Sequence, residues 1–419
     1  MKNIGFISTR IAGTDGVSHE IEKWARVLEA DGYRCFYCAG DADRAPELCR
    51  IIEEAHFRHP EIARINGAVF GKTLRTEETT RLIHAMTAHL KQKLARFLSD
   101  FGIDCIIAEN ALTIPMNVPL GIALTELIAE TGIPTVAHHH DFAWERERFL
   151  VNAVGDYLQM SFPPALPAIR HVVINSLARE SLAYRRGVPC AVVPNTFDFG
   201  TPPGPDDPEV IARVRREAGV GPGELFVLQP TRVVPRKCIE RSIDLVSGLA
   251  GAARRLVISH PSGDEGEDYL RRLQEYADMR KVRLVFIEGS VSPDRSASNG
   301  RPYTIGDVYR AADLVTYPSA YEGFGNALLE AVYFRKPLVV NRYPVFIADI
   351  EPLGFDLCLI DGFITGGTIR RIEETLADTE KLRLMADRNF GIAAKHFSFE
   401  KLDELLQSVM EDLTRLSPA

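Results

Sequence analysis

The chain has 419 residues, 46% hydrophobic and 25% charged, with a formal net charge of −8. That length allows two or three domains, and the composition is that of a globular chain with a sizeable core. Net negative charge argues against a nucleic-acid partner, which requires clustered Lys and Arg.

The start, MKNIGFISTR, has no signal-peptide pattern, and the uncharged stretches contain proline or break early, so neither export nor a membrane span is expected. The seven cysteines are scattered. Cys35 and Cys38 form a C-x-x-C, but inside a strand-like run, where residues three apart face opposite ways. A reduced, cytoplasmic protein is expected.

Residues 3–8 read as a strand, 9–16 (TRIAGTDG) as a loop and 17–30 as a helix, the opening of a doubly wound α/β fold. Gly13 and Gly16 do not complete a G-x-G-x-x-G fingerprint, which argues against a nicotinamide dehydrogenase. A second strand fits 33–39, whereas 41–75 is moderately basic and gives no clear element. Residues 76–101 read as a long amphipathic helix, with Leu82, Met86, Leu90, Leu94 and Phe97 on one stripe and Lys91, Lys93 and Arg96 on the other face. A surface helix with a core-facing stripe is preferred to one lying on a membrane. A strand at 103–108, the loop ENALTIPMNVPLG and a helix to 131 follow.

The strand at 134–137 ends in His138, His139, His140 and Asp141, where open α/β sheets bind ligands. Strand alternation lets at most His138 and His140 point together. No Cys, His or acid spacing completes a metal set, so no metal is expected. Arg146 and Arg148 follow in WERERF, and strands at 171–174 and 191–193 close this half.

PNTFDFGTPPGPDDPE then reads as a linker. Strands return at 225–228, 255–259, 282–287, 313–317, 337–340 and 357–360, with helices at 238–249, 305–312, 326–334, 368–388 and 400–413. A loop, EGSVSPDRSASNGRPYT, precedes the helix at 305. The domains are placed at 1–198 and 199–398, with 399–419 a terminal helix returning to the first domain on Leu402, Leu405, Leu406 and Met410. Two βα arrays joined by a linker suggest a ligand cleft between them.

The chemistry concentrates in YPSAYEGFGNALLEAV, residues 317–332. A strand, a turn with Gly323 and Gly325 around Phe324, and a helix start at Asn326 make an anion site, because backbone N–H groups and the positive end of the dipole coincide. Glu322 lies in the turn, and Glu330 shares a helix face with Asn326. This suits a nucleotide sugar, with sugar hydroxyls at Glu322, diphosphate at the turn and ribose at Glu330. The plainer alternative is a capped helix with two solvated acids. A second signal is TRVVPRK, where Arg232 and Lys237, with Arg236 as a competitor, can serve phosphate at the same sheet edge.

These residues, with the HD at 140–141, VVPNTFD and AADLVTYPS, resemble the retaining glycosyltransferases of glycosyltransferase family 4. The resemblance runs over most of the chain. It implies the GT-B fold: two Rossmann-like, doubly wound α/β domains facing a central cleft, the first on the acceptor side and the second binding the nucleotide-sugar donor. It further implies Glu330 on ribose, Glu322 on the donor sugar, and Arg232 and Lys237 on the diphosphate, with the amides of Phe324, Gly325, Asn326 and Ala327. His140 matches the family's histidine next to the sugar, and Gly16 falls in its phosphate-approaching first loop. The candidate catalytic residues are thus His140, Glu322, Arg232 and Lys237.

The chain departs from the family in having Asp15-Gly16 for two glycines and VYFRKP for a glycine-rich stretch. The loops NRYPVFIADIEPLGF and ENALTIPMNVPLG resemble those of enzymes making mannosylglucosylglycerate-type compatible solutes. The implied activity is retaining hexose transfer, without a required cofactor, from GDP-mannose or UDP-glucose to a small soluble, anionic, sugar-type acceptor. Candidate acceptor residues are Arg10, His138, His140, Arg146 and Arg148. The alternatives are a lipid-linked acceptor or a nucleotide-sugar epimerase of the same fold.

Overall fold

The computed structural model describes residues 2–13, 16–250, 255–260, 267–287, 291–292 and 303–415. Asp15 and most of the expected loop at 288–304 lie outside the described residues. The chain divides into two compact units, Met1–Asn195 with Phe399–Ala419, and Thr196–Ser398.

The first unit is built on seven parallel strands: β1 (Asn3–Ile7), β2 (Arg34–Ala39), β3 (Cys49–Ile51), β4 (Cys105–Glu109), β5 (Thr135–His139), β6 (Ile169–Val173) and β7 (Cys190–Val192). Their order is β3-β2-β1-β4-β5-β6-β7. All-parallel strands are covered on both faces and so read as continuous apolar runs. Helices Gly16–Ala30 and Phe399–Thr414 cover one face, through Trp24, Leu28, Leu402, Leu406 and Leu413. Helices Glu77–Phe101 and Val118–Thr131 cover the other, through Leu90, Leu94, Phe97 and Leu124. Cys35 belongs to the first core and Cys38 to the second, as alternation requires of residues three apart.

The second unit has β8 (Val227–Gln229), β9 (Arg255–Ile258), β10 (Arg283–Phe286), a short pair β11 (Val291–Ser292) and β12 (Tyr303–Thr304), then β13 (Leu314–Tyr317), β14 (Leu338–Asn341) and β15 (Cys358–Ile360). The six-stranded sheet runs β10-β9-β8-β13-β14-β15. Strand order reverses between β8 and β13, so the loops leaving these two strands meet at one edge, the usual ligand position in such sheets.

Four expectations need correction. β5 continues through His139 rather than ending at 137. The region 41–75 contains the edge strand β3, too short to carry a periodic signal, and the helix Pro60–Val69, which buries Ile62, Ile65 and Val69 at helical spacing. The end of the supposed linker starts a helix, Pro208–Glu217. Asp207 caps it by accepting from the Glu209 and Val210 N–H groups, and Pro208 suits its first turn. The expected helix at 368–388 is two, Gly366–Ala377 and Thr379–His396. Asp378 leaves helical geometry between them and caps the second by accepting from Lys381 N–H at 2.9 Å.

Candidate active site

In the second unit, the loop after β13 enters the helix Asn326–Tyr333 through Gly325, whose φ of +132° is one that L side chains rarely adopt. A Cβ there would also lie 2.5 Å from the Tyr343 hydroxyl oxygen. That hydroxyl donates to the Phe324 carbonyl at 2.6 Å, from a buried position in the NRYPV segment after β14. Phe324 is itself buried against Phe397. The turn is thus gripped from behind, and the residues 324–327 expected to meet phosphate begin a helix with no side-chain cap.

Glu322 is the meeting point of this loop with the one after β8. Arg236 Nη1 donates to one of its oxygens at 2.7 Å, and Lys237 Nζ pairs with the other. Two further bonds lock the two loops, Ala320 N–H to the Arg236 carbonyl at 2.9 Å and Arg241 Nη1 to the Pro318 carbonyl at 3.0 Å, and Gln229 Nε2 at the end of β8 steadies its own loop by donating to the Lys237 carbonyl at 3.0 Å. The Glu322 and Lys237 side chains are 8% and 10% exposed. Burial pushes the Glu322 carboxyl up, but Lys237 and Arg236 outweigh it and hold the carboxyl below its usual range. Burial dominates at Lys237 and lowers it despite Glu322.

The structure therefore gives Lys237, expected at a diphosphate, to Glu322, expected at a sugar. Arg236 joins them as a second partner. Arg232 is exposed, and among the described residues its side chain has no hydrogen bond or ion pair.

Glu330 Oε2 accepts from the buried Tyr309 hydroxyl at 2.7 Å, which fixes the carboxylate on the helix face expected for it. Sequence reasoning missed His260. It follows β9, its Nδ1 lies 2.9 Å from Ser259 Oγ, and it feels the charges of Glu330, Lys237 and Arg232. Burial pushes its pKa down. The signal was available, because a polar residue just past a parallel strand is what singled out His140.

In the first unit, His138 and His140 do turn to one side and His139 to the other. His139 meets Thr113 and His171, with Nε2 2.9 Å from His171 Nδ1. His138 Nδ1 and His140 Nε2 both donate to Glu109, at 3.1 Å each. The expectation that no acid completes the histidines is thus corrected: Glu109 does so from β4, directly across from His138. One ligand-type atom from each of the three lies within 4.8 Å of the others. His138 Nε2 has no partner among the described residues, whereas a metal-bound imidazole normally gives its other nitrogen to a second group. The contacts are those of a hydrogen-bonded ion pair. Gly16 is exposed at the first helix's start.

Of the acceptor candidates, His138 is buried and stacked on Trp24 at 4.2 Å, so it does not line a surface, and burial lowers its pKa. Arg146 pairs with Asp141, Arg148 Nη2 lies 2.7 Å from Met116 Sδ, and Arg10 lies over the Phe57 ring. On the helix Glu77–Phe101, Lys91 pairs with Glu126 and Glu130, and Lys93 with Glu54. Among the described residues no helix is long and apolar enough to cross a membrane.

The sequence profile described as Glycosyl transferases group 1 matches residues 211–390. Mannosylglucosylglycerate synthase of Thermotoga maritima is 34% identical, covering 96% of this chain and 98% of that protein. The enzyme of the same name from Petrotoga mobilis is 31% identical, covering 84% and 85%. The fold resembles that of Anabaena HepE in complex with UDP and glucose, with TM-score 0.66, 15% identity and coverage of 98% of this chain and 100% of that one. It also resembles sucrose-phosphate synthase from Thermosynechococcus elongatus, with TM-score 0.69, 16% identity and full coverage of both chains. With near full-length similarity of this kind and two parallel sheets of the GT-B type, the chain belongs to the group 1 glycosyl transferases.

Proposed function

We propose that this glycosyltransferase moves a mannose or glucose, with retention of anomeric configuration, from GDP-mannose or UDP-glucose to a small soluble, anionic, sugar-type acceptor. The observation that carries the reading is the gathering of Glu322, Lys237, Arg236, the Gly325 turn and Glu330 at one sheet edge of the second unit. The relatives' names support the acceptor class, since mannosylglucosylglycerate joins two hexoses to an acid. The UDP complexes of HepE support a nucleoside-diphosphate donor.

In the proposed reaction the bond from the sugar's anomeric carbon to the diphosphate oxygen breaks. A bond to the acceptor oxygen forms on the same face, and the departing phosphate takes the acceptor's proton. Lys237, Arg232 and the helix dipole stabilise the leaving diphosphate by preorganised charge. Glu322 is positioned for the sugar hydroxyls and Glu330 for the ribose. No metal or cofactor is assigned a role, and the reaction is assigned to the cytoplasm.

Purified protein is offered GDP-mannose and UDP-glucose with glycerate-bearing and neutral sugars, and the product's anomeric configuration is read by NMR. Retained transfer to the acid is expected. An inverted product, or no turnover of any nucleotide sugar, overturns the reading. The ion-paired Lys91 and Lys93 argue against a lipid-linked acceptor, and vesicle co-sedimentation checks this. Strong binding to anionic vesicles without transfer to a soluble acid overturns the small-acceptor assignment.

A further inference from the structure

We propose that Glu109 is a positioning residue for His140: its buried carboxylate takes the ring's Nε2–H, so that Nδ1 is the nitrogen offered to substrate. The inference rests on the proposed function, with His140 taken as the histidine that the family resemblance implies beside the transferred sugar.

Glu109 is the last residue of β4 and is 0% exposed. Both neighbouring imidazoles converge on it, His138 through Nδ1 and His140 through Nε2. Asn110, in the left-handed region at φ 57°, pins the adjoining backbone. Its Oδ1 accepts from His140 N–H at 2.9 Å, and its own N–H donates to the His138 carbonyl at 3.0 Å. The ring and its carboxylate are therefore held from two adjacent strands.

Burial and neighbouring charge act differently on the two rings. A carboxylate at this depth needs a cation or several donors. Lys23 pairs with Glu20 at 2.6 Å. Burial pushes the His138 pKa down despite Glu109. The ionisable groups facing His140 are Glu109 on β4, Glu20 on the first helix, and His138 and Asp141 on its own segment, the last paired with Arg146. Burial favours the neutral ring, but Glu109, Glu20 and Asp141 outweigh it and raise His140 above the usual histidine value. A protonated His140 offers Nδ1–H to a hydroxyl or phosphate oxygen.

The test is the titration of His140 in nucleotide-free protein, by NMR of labelled histidine with the signal assigned through His140→Gln. The wild-type midpoint should lie above an ordinary histidine's, and Glu109→Gln should lower it by roughly one unit or more, the usual effect of removing an adjacent opposite charge. Glu109→Asp, which keeps the charge, should restore most of the shift. The pH profile of transfer should move in step. A wild-type midpoint below about 6.5 overturns the inference even where Glu109→Gln does not fold. So does a transfer profile that stays fixed while the NMR midpoint moves, or a variant that loses only thermal stability. Since the titration needs no turnover, failure of the proposed reaction leaves it readable and is distinguishable from failure of the inference.

Discussion

Glu322→Gln removes the negative charge that holds Arg236 and Lys237 together. Each charge-assisted hydrogen bond is worth about 1.5–3 kcal/mol. Breaking a buried ion pair from one side costs about 3–5 kcal/mol, because the remaining charge is stranded. Two features reduce this: the amide oxygen still accepts one bond, and the Arg236 side chain, 23% exposed, recovers water. A net loss of about 2–3 kcal/mol is expected. In a unit of about 200 residues each kcal/mol lowers Tm by about 2–4 °C, so the variant should melt about 4–12 °C below wild type. The effect has a defined pH dependence. A depressed carboxyl contributes stability above its unfolded pKa of about 4.3, and the contribution is lost as pH falls through the lower folded value. The gap in Tm should hold from pH 8 to about 5.5 and narrow below about 4. Thermal melts of both proteins across that range are the assay. Equal Tm at pH 7.5, or a gap undiminished at the acid limit of the folded state, refutes the reasoning.

Three other outcomes are expected. Glu330→Ala should weaken UDP or GDP binding roughly tenfold or more, for a lost charge-assisted bond of about 1.5–3 kcal/mol; calorimetry showing unchanged affinity removes Glu330 from the nucleotide site. Gly325→Ala places a Cβ against the Tyr343 hydroxyl at an unfavourable φ and should cost about 1–3 kcal/mol, read as a lower urea midpoint. Leu406→Ala, at 1% exposure in the terminal helix, should cost about 2–5 kcal/mol while leaving nucleotide affinity unchanged; an unaltered urea midpoint contradicts the packing of that helix on Trp24 and Leu28.

What could be read from the sequence follows from how far each signal reaches along the chain. Continuous apolar runs marked the longer parallel strands, and the stripe Leu402, Leu406, Met410 marked the last helix, because burial imposes a period on neighbouring residues. The turn at 322–330 was legible because strand, glycine, helix start and acid lie within a few residues. Short elements such as β3 leave too few residues for a period, and Asp378 looks like any helix surface residue until its cap is seen. The harder class is pairing between strands. Glu109 and His138 are 29 residues apart yet opposite in register, and Lys237 and Glu322 are 85 apart yet in contact. Strand order decides both meetings, and no local spacing encodes it. That is why Lys237, read with Arg232 as a phosphate ligand, gave no sign of the carboxylate it pairs with. A donor diphosphate arriving at this edge would have to share Lys237 with Glu322. The exposed Arg232 is the cation it can recruit without breaking an ion pair among the described residues. On this basis the single substitution Arg232→Ala should weaken nucleoside-diphosphate binding without lowering Tm, whereas Lys237→Ala should do both. Calorimetry and melting of the two variants separate these effects, and a destabilised Arg232→Ala protein would contradict the assignment.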